Sequence, residues 1–130
     1  MQHLDPRAAY AFLQQRTDAV LVDCRTETEH MYVGHPVGAE HVAWQEGLDW
    51  EIDPAFADKV KRLLKGDLNR PVLLICRSGR RSVEAGVALE AAGFSSVINV
   101  LEGFDGPLDE DFHRSTLGGW RYCGLPWYQS

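Results

Sequence analysis

The chain has 130 residues, 45% hydrophobic and 25% charged, enough for a single domain over residues 1–130 with one core. A formal net charge of -6 argues against nucleic acid or an anionic membrane surface as the main partner. No apolar run approaches the roughly 20 residues of a membrane helix, and three cysteines at long spacings (Cys24, Cys76, Cys123) do not form a disulfide framework.

The N-terminal stretch MQHLDPRAAYAFLQQR has no apolar core of a secretory signal. The expectation is a cytoplasmic protein, with a chain already trimmed of a leader as the alternative. A first helix is predicted from Asp5 to Arg16, with Asp5 as cap, Pro6 in the first turn and an apolar stripe of Ala8, Ala9, Phe12 and Leu13. AVLVD at 19–23 reads as a buried strand. GHPVGA at 34–39 reads as loop, and EHVAW at 40–44 as a second strand. Residues 54–65 have helical spacing in Phe56, Val60, Leu63 and Leu64, with Gly66 as a stop. PVLLI at 71–75 is the strongest strand pattern, and a helix follows from Arg81 to Ala92, ended by Gly93. SSVINV at 95–100 reads as another strand. The Gly-rich, aromatic remainder suggests one short helix near Gly118–Cys123. Strand and helix patterns alternate, which predicts an α/β fold with a mainly parallel central sheet flanked by helices.

Ligands of such sheets bind beyond the carboxyl ends of the strands. Cys76 stands there, directly after the strongest strand. A strand-to-helix loop points backbone N–H groups inward at a helix N-terminus, which attracts anions and favours thiolate over thiol. Arg77, Arg80 and Arg81 push the same way on an otherwise negative chain. Gly79 permits backbone angles closed to other residues, and Ser82 is placed to cap the helix. The competing reading is a buried core cysteine beside a solvated arginine face. There is no CxxC and no histidine pair at metal spacing, so no metal is expected.

Cys76-Arg77-Ser78-Gly79-Arg80-Arg81-Ser82 resembles the active-site loop of rhodanese-like sulfurtransferases, patterned C-x-x-G-x-R-S. Upstream, Leu21-Val22-Asp23-Cys24-Arg25-Thr26 with Glu29 and Gly34-His35 is similar to that family's Asp-x-Arg strand and Gly-His loop. Downstream, Ala92-Gly93-Phe94, Val97, Val100-Leu101-Glu102-Gly103, Trp120 and Gly124-Leu125-Pro126-Trp127 resemble its later segments. The resemblance spans nearly the whole chain in order and implies the three-layer rhodanese fold. It also implies a mechanism. The Cys76 thiolate takes the sulfane sulfur of a donor such as thiosulfate, sulfite leaves, and a thiol, a protein sulfur acceptor or cyanide removes the sulfur from the Cys76 persulfide. Arg77, Ser78, Gly79, Arg80, Arg81 and Ser82 are then the substrate-binding loop, and no metal or organic cofactor is needed. A module that carries sulfur for a partner without catalysis is the first alternative. A cysteine phosphatase or arsenate reductase is the second, disfavoured by loop length. Phosphatases use C-x5-R, and the sixth position after Cys76 is Ser82, with arginine at the fourth and fifth.

Some features depart from the family. Pro36 comes one place early in the Gly-His loop. FDGPLDEDFHRSTL at 104–117 is an acidic insertion expected on the surface, near the mouth of the site or without a role. Cys24 stands where the family more often has an apolar residue. It is a candidate resolving thiol for Cys76, with a small strand residue as the plainer alternative. Asp23, Arg25 and His35 read as polar anchors, Cys123 as packing or surface, and the tryptophans as core and lid, with Trp44 a candidate for the pocket mouth.

Overall fold

In the computed structural model, which describes residues 1–130, the chain builds a five-stranded sheet, two small two-stranded ribbons and three α-helices. The central strands are β1 (Gln2–Leu4), β2 (Val20–Asp23), β4 (Glu40–His41), β7 (Val72–Ile75) and β8 (Val97–Val100), in spatial order β1-β8-β7-β2-β4. Every pairing among them is parallel. The ribbons pair β3 (His35–Pro36) with β9 (Trp127–Tyr128) and β5 (Gln45–Glu46) with β6 (Glu51–Ile52), both antiparallel.

The helices are α1 (Pro6–Gln15), α2 (Phe56–Leu63) and α3 (Arg81–Ala91). Asp5 caps α1 by accepting from the Ala8 N–H at 2.8 Å. Such a cap contributes about 1 kcal/mol. No helix is long and apolar enough to cross a membrane.

Strand periodicity divides the core in two. Val72, Leu74 and Cys76 face one side of the sheet together with Val22 and Cys24, against Phe56 and Val60 of α2, Leu64 at its C-cap, and Ala85 and Leu89 of α3. Leu73, Ile75 and Leu21 face the other side, against Ala9 of α1, Phe104 and Trp120. Helices on both faces of a parallel sheet make the three-layer α/β architecture that the alternation predicts.

Four sequence readings need correction. The predicted strand at 40–44 shrinks to Glu40–His41, because Trp44 drops into the α2 side of the core, 8% exposed and edge-on to Phe56. The predicted helix near Gly118–Cys123 is a series of turns. There Gly119, at φ 104, brings its backbone against that of Asp105 and Gly106. The Gly-His loop contains β3, held by the C-terminal β9. The 104–117 insertion begins inside the protein: Phe104, Asp105 and Gly106 are buried, and Asp105 pairs with Arg121 at 2.8 Å. An unpaired Asp at that depth would be costly, and Arg121 supplies the partner.

Candidate active site

β7 ends at Ile75, so Cys76 begins the turn into α3 at the carboxyl edge of the sheet. The turn is shaped from outside by the segment 103–105. Phe104 N–H donates to the Cys76 carbonyl at 2.8 Å and Asp105 N–H to the Arg77 carbonyl at 2.9 Å. Gly103, at φ 64, allows this approach, since a Cβ there would collide with the backbone of Cys76 and Arg77. With those carbonyls engaged outward, the loop's N–H groups turn toward the sulfur. Gly79, at φ 98, donates its N–H to Cys76 Sγ at 3.1 Å.

Ser82 does not cap α3. The N-cap position is Arg80, without a side-chain cap, and Ser82 lies fully buried in the first turn. Its hydroxyl is 3.3 Å from Cys76 Sγ and 2.5 Å from Asn99 Oδ1. One hydroxyl proton serves only one of them. With the sulfur charged, the proton belongs to Sγ. Asn99 faces Ser82 with its Oδ1, and its amide nitrogen meets His3 Nδ1 at 3.2 Å.

Cys76 is 1% exposed and titrates near 5, far below a free thiol. The largest cause is the neighbouring Cys24 thiol. Burial opposes it, and the Ser82 hydroxyl and the Ser82 and Gly79 N–H groups add to it. Cys24, fully buried on the neighbouring strand, moves the other way. The hydrogen bond to Cys76, burial and the Cys76 charge all raise it well above the ordinary thiol value. One sulfur of the pair carries the charge and the other keeps its proton.

Above the sulfur lies an open cavity of about 630 Å³. Cys76, Arg77, Ser78, Arg80 and Arg81 line it, as do Glu29, Trp50, Glu84 and Asp105. The three arginines divide. Arg77 and Arg80 are exposed and make no ion pair. Arg81 is clamped by Glu29 through contacts of 2.7 and 2.9 Å and lies over the Trp50 ring. Ser82 and Gly79 therefore hold the sulfur rather than line the cavity. Trp50, not Trp44, is the tryptophan at the mouth. Trp44 instead donates its indole N–H to Glu84 at 3.3 Å from within the core.

The anchors sit one strand away. Arg25 and Asp23 are both fully buried and form a two-point pair at 2.7 and 2.8 Å. His30 joins Asp23 at 2.8 Å, and His35 accepts the stacked His30 ring at 3.7 Å between centroids. This cluster holds β2 to the π-helical turn Glu29–Val33, which delivers Glu29 to Arg81. Sequence reasoning missed Trp50, Glu84 and Asp105, which carry no local signature. Asn99 had one: a single polar residue in an otherwise apolar strand.

A parallel α/β sheet with an ionised cysteine in a strand-to-helix loop defines a cysteine-centred α/β domain. The chain belongs to the rhodanese-like domain family, whose pattern matches residues 6–108. It is 35% identical to Rv0390 from M. tuberculosis, whose crystal structure superposes with a TM-score of 0.87 over 100% of this chain and 98% of that one. It is 33% identical over 93 residues to the thiosulfate sulfurtransferase GlpE of Pseudomonas putida, covering 72% of this chain and 73% of that protein. A Rickettsia rickettsii protein, described as an uncharacterized RP600 homolog, is 28% identical over 98% of this chain and 97% of its own.

Proposed function

We propose that this protein is a sulfurtransferase that moves a sulfane sulfur from a small anionic donor such as thiosulfate to a thiol acceptor, through a persulfide on Cys76. The observation that carries the reading is the buried Cys76 sulfur, held by inward donors that favour its thiolate, in the lining of a cavity that also carries the exposed guanidinium groups of Arg77 and Arg80. The thiolate attacks the outer sulfur of the donor, and the S–S bond breaks with its electron pair leaving on sulfite. Arg77 and Arg80 balance the incoming dianion and the departing one. Gly79 N–H and the Ser82 hydroxyl, which hold the thiolate in the free protein, remain beside the persulfide. The cavity has room for about twenty waters, so a thiol acceptor of some size reaches the same sulfur. Relatedness to a protein named thiosulfate sulfurtransferase supports the same choice of donor.

Phosphoryl transfer fits less well. The sixth position after Cys76 is the buried Ser82, and Arg81 is occupied by Glu29. The test is thiosulfate loading followed by intact mass and by thiocyanate formation with cyanide. The expected result is a gain of one sulfur atom and thiocyanate release, both lost in Cys76→Ser. No gain, with phosphate released from an aryl phosphate, overturns the reading. A gain of sulfur without turnover to any acceptor would instead assign a sulfur-carrying module.

A further inference from the structure

The sheet register puts a second thiol against the first. Val22 pairs with Leu74 and Asp23 with Ile75, so the next residues, Cys24 and Cys76, stand side by side as the strands end. Alternation turns both side chains to the same face, where they belong to one buried cluster. Cys24 N–H and Cys24 Sγ both reach the carbonyl of Ile75, the residue directly before Cys76, at 3.0 and 3.4 Å. Strands of one sheet lie about 4.8 Å apart, inside the roughly 4.4–6.8 Å window of Cα separations a disulfide spans.

The two sulfurs differ in access. Cys76 lines the cavity, whereas Cys24 is fully buried and does not. An incoming donor therefore meets Cys76 from the cavity side, and Cys24 meets it from the core side. Displacement at sulfur needs the attacking and leaving atoms on opposite sides of the sulfur attacked. A persulfide on Cys76 places its outer sulfur toward the cavity, with Cys24 behind.

We propose that Cys24 is a second catalytic thiol, which attacks Cys76 Sγ of the persulfide and expels the outer sulfur into the cavity as hydrogen sulfide. This inference rests on the persulfide reading above. The step balances. The Cys24 sulfur forms a bond to Cys76 Sγ, the bond from Cys76 Sγ to the outer sulfur breaks, and the electron pair and the Cys24 proton leave together as HS⁻. Two protein thiols are oxidised to a disulfide and the sulfane sulfur is reduced to sulfide, so no outside oxidant is required. A dithiol reductant entering by the cavity attacks Cys76 Sγ, returns Cys24 as a thiol and closes its own disulfide. The activity added to sulfur transfer is thus a dithiol-dependent reduction of sulfane sulfur to sulfide. The Cys76 charge is one of the causes that raise the Cys24 thiol, and that cause ends once Cys76 Sγ is bonded to the outer sulfur; the Cys24 proton then passes to the departing sulfur as the Cys24–Cys76 bond forms.

The experiment uses the full chain in a Cys123→Ser background, loaded to completion with thiosulfate without oxygen, then freed of donor and kept without thiols. Intact mass, sulfide release and the peptide map are followed together. The expected result is decay of the persulfide to a species two hydrogens lighter than the dithiol protein. One equivalent of sulfide and a Cys24–Cys76 link accompany it. Cys24→Ala and Cys24→Ser gain the sulfur more slowly, since Cys24 supports the Cys76 thiolate, but gain it fully given time, which also reports that they fold; they then hold it and release no sulfide. Loading of the parent chain followed by a persulfide as long-lived as in the Cys24 variants, with no link, overturns the inference and leaves sulfur transfer standing. Failure of every chain to gain sulfur removes the persulfide reading and this one with it.

Discussion

At the scale of single residues, the site is a thiolate whose charge is distributed among named donors. Ser82 is the donor most easily removed, since alanine fills most of its space. Its loss removes one charge-assisted hydrogen bond from Cys76, equivalent to about one pKa unit. The sign follows from which form the bond favours. Ser82 lowers the Cys76 value, so Ser82→Ala raises it from about 5. The rate of Cys76 alkylation against pH, measured in a Cys123→Ser background, is expected to shift its midpoint upward. The variant loses rate on the acid side and converges with the parent once both are fully ionised. An unmoved midpoint removes Ser82 from the set of charge-holding donors. Much of this was legible in the sequence, because a strand, a cysteine, a glycine and a serine in order fix their own neighbourhood. The role of Ser82 was not. Its position suits a cap, and only the approach of β8, bringing Asn99 from 17 residues away, turns its hydroxyl under the sulfur.

At the scale of elements, the loop is held from outside as much as by its own glycine. The segment 103–105 occupies two carbonyls of the loop, and that contact depends on Gly103. Gly103→Ala combines a left-handed backbone with a Cβ that meets carbonyl groups unable to swing aside. The expected destabilisation is more than about 2 kcal/mol. In denaturant titration it lowers the midpoint, and the refolded variant loads sulfur more slowly because the Gly79 N–H no longer faces Cys76. A variant of unchanged midpoint and loading rate would show that the segment does not shape the loop. The elements themselves were unevenly legible. β2, β7, β8, α1, α2 and α3 carry apolar periodicity and stand within a residue or two of where pattern places them. β1 is Gln2-His3-Leu4, with no apolar run, and is a strand only because the edge of β8 is free to pair with it. The two-residue strands β5 and β6 have no pattern either. The hairpin between them carries Trp50 to the cavity mouth, a placement made by tertiary contact rather than by local sequence.

At the scale of the whole molecule, buried ionised groups make stability follow pH, and two of them act in different windows. Asp23 titrates near 2 rather than 3.8: burial pushes it up, and the hydrogen bonds of Arg25 and His30 more than reverse that. Between those values the unfolded chain binds the extra proton, so stability falls as the solution is acidified through that range, by about 2 kcal/mol in all. Cys76 titrates near 5 in the fold against 9.0 for a free thiol. Between these values the unfolded chain again holds the proton that the fold has released, so stability climbs as pH rises from about 5. Cys24 works in the opposite sense. Its raised value favours the fold while an unfolded thiol would still be protonated, and that contribution is lost as pH rises past the ordinary thiol range. The three signs together predict a denaturant midpoint that rises from acid through neutral pH and turns over on the alkaline side. Cys76→Ser is expected to keep the acid limb, which belongs to Asp23, and to lose the climb above about 5. Asp23→Asn leaves Arg25 charged and buried without its partner, which costs about 3–5 kcal/mol, and removes the acid limb. Urea titrations of the three chains across pH separate the two contributions. A Cys76→Ser chain with the parent's full climb would place the charge on a different group and would unseat the thiolate on which the proposed sulfur transfer depends.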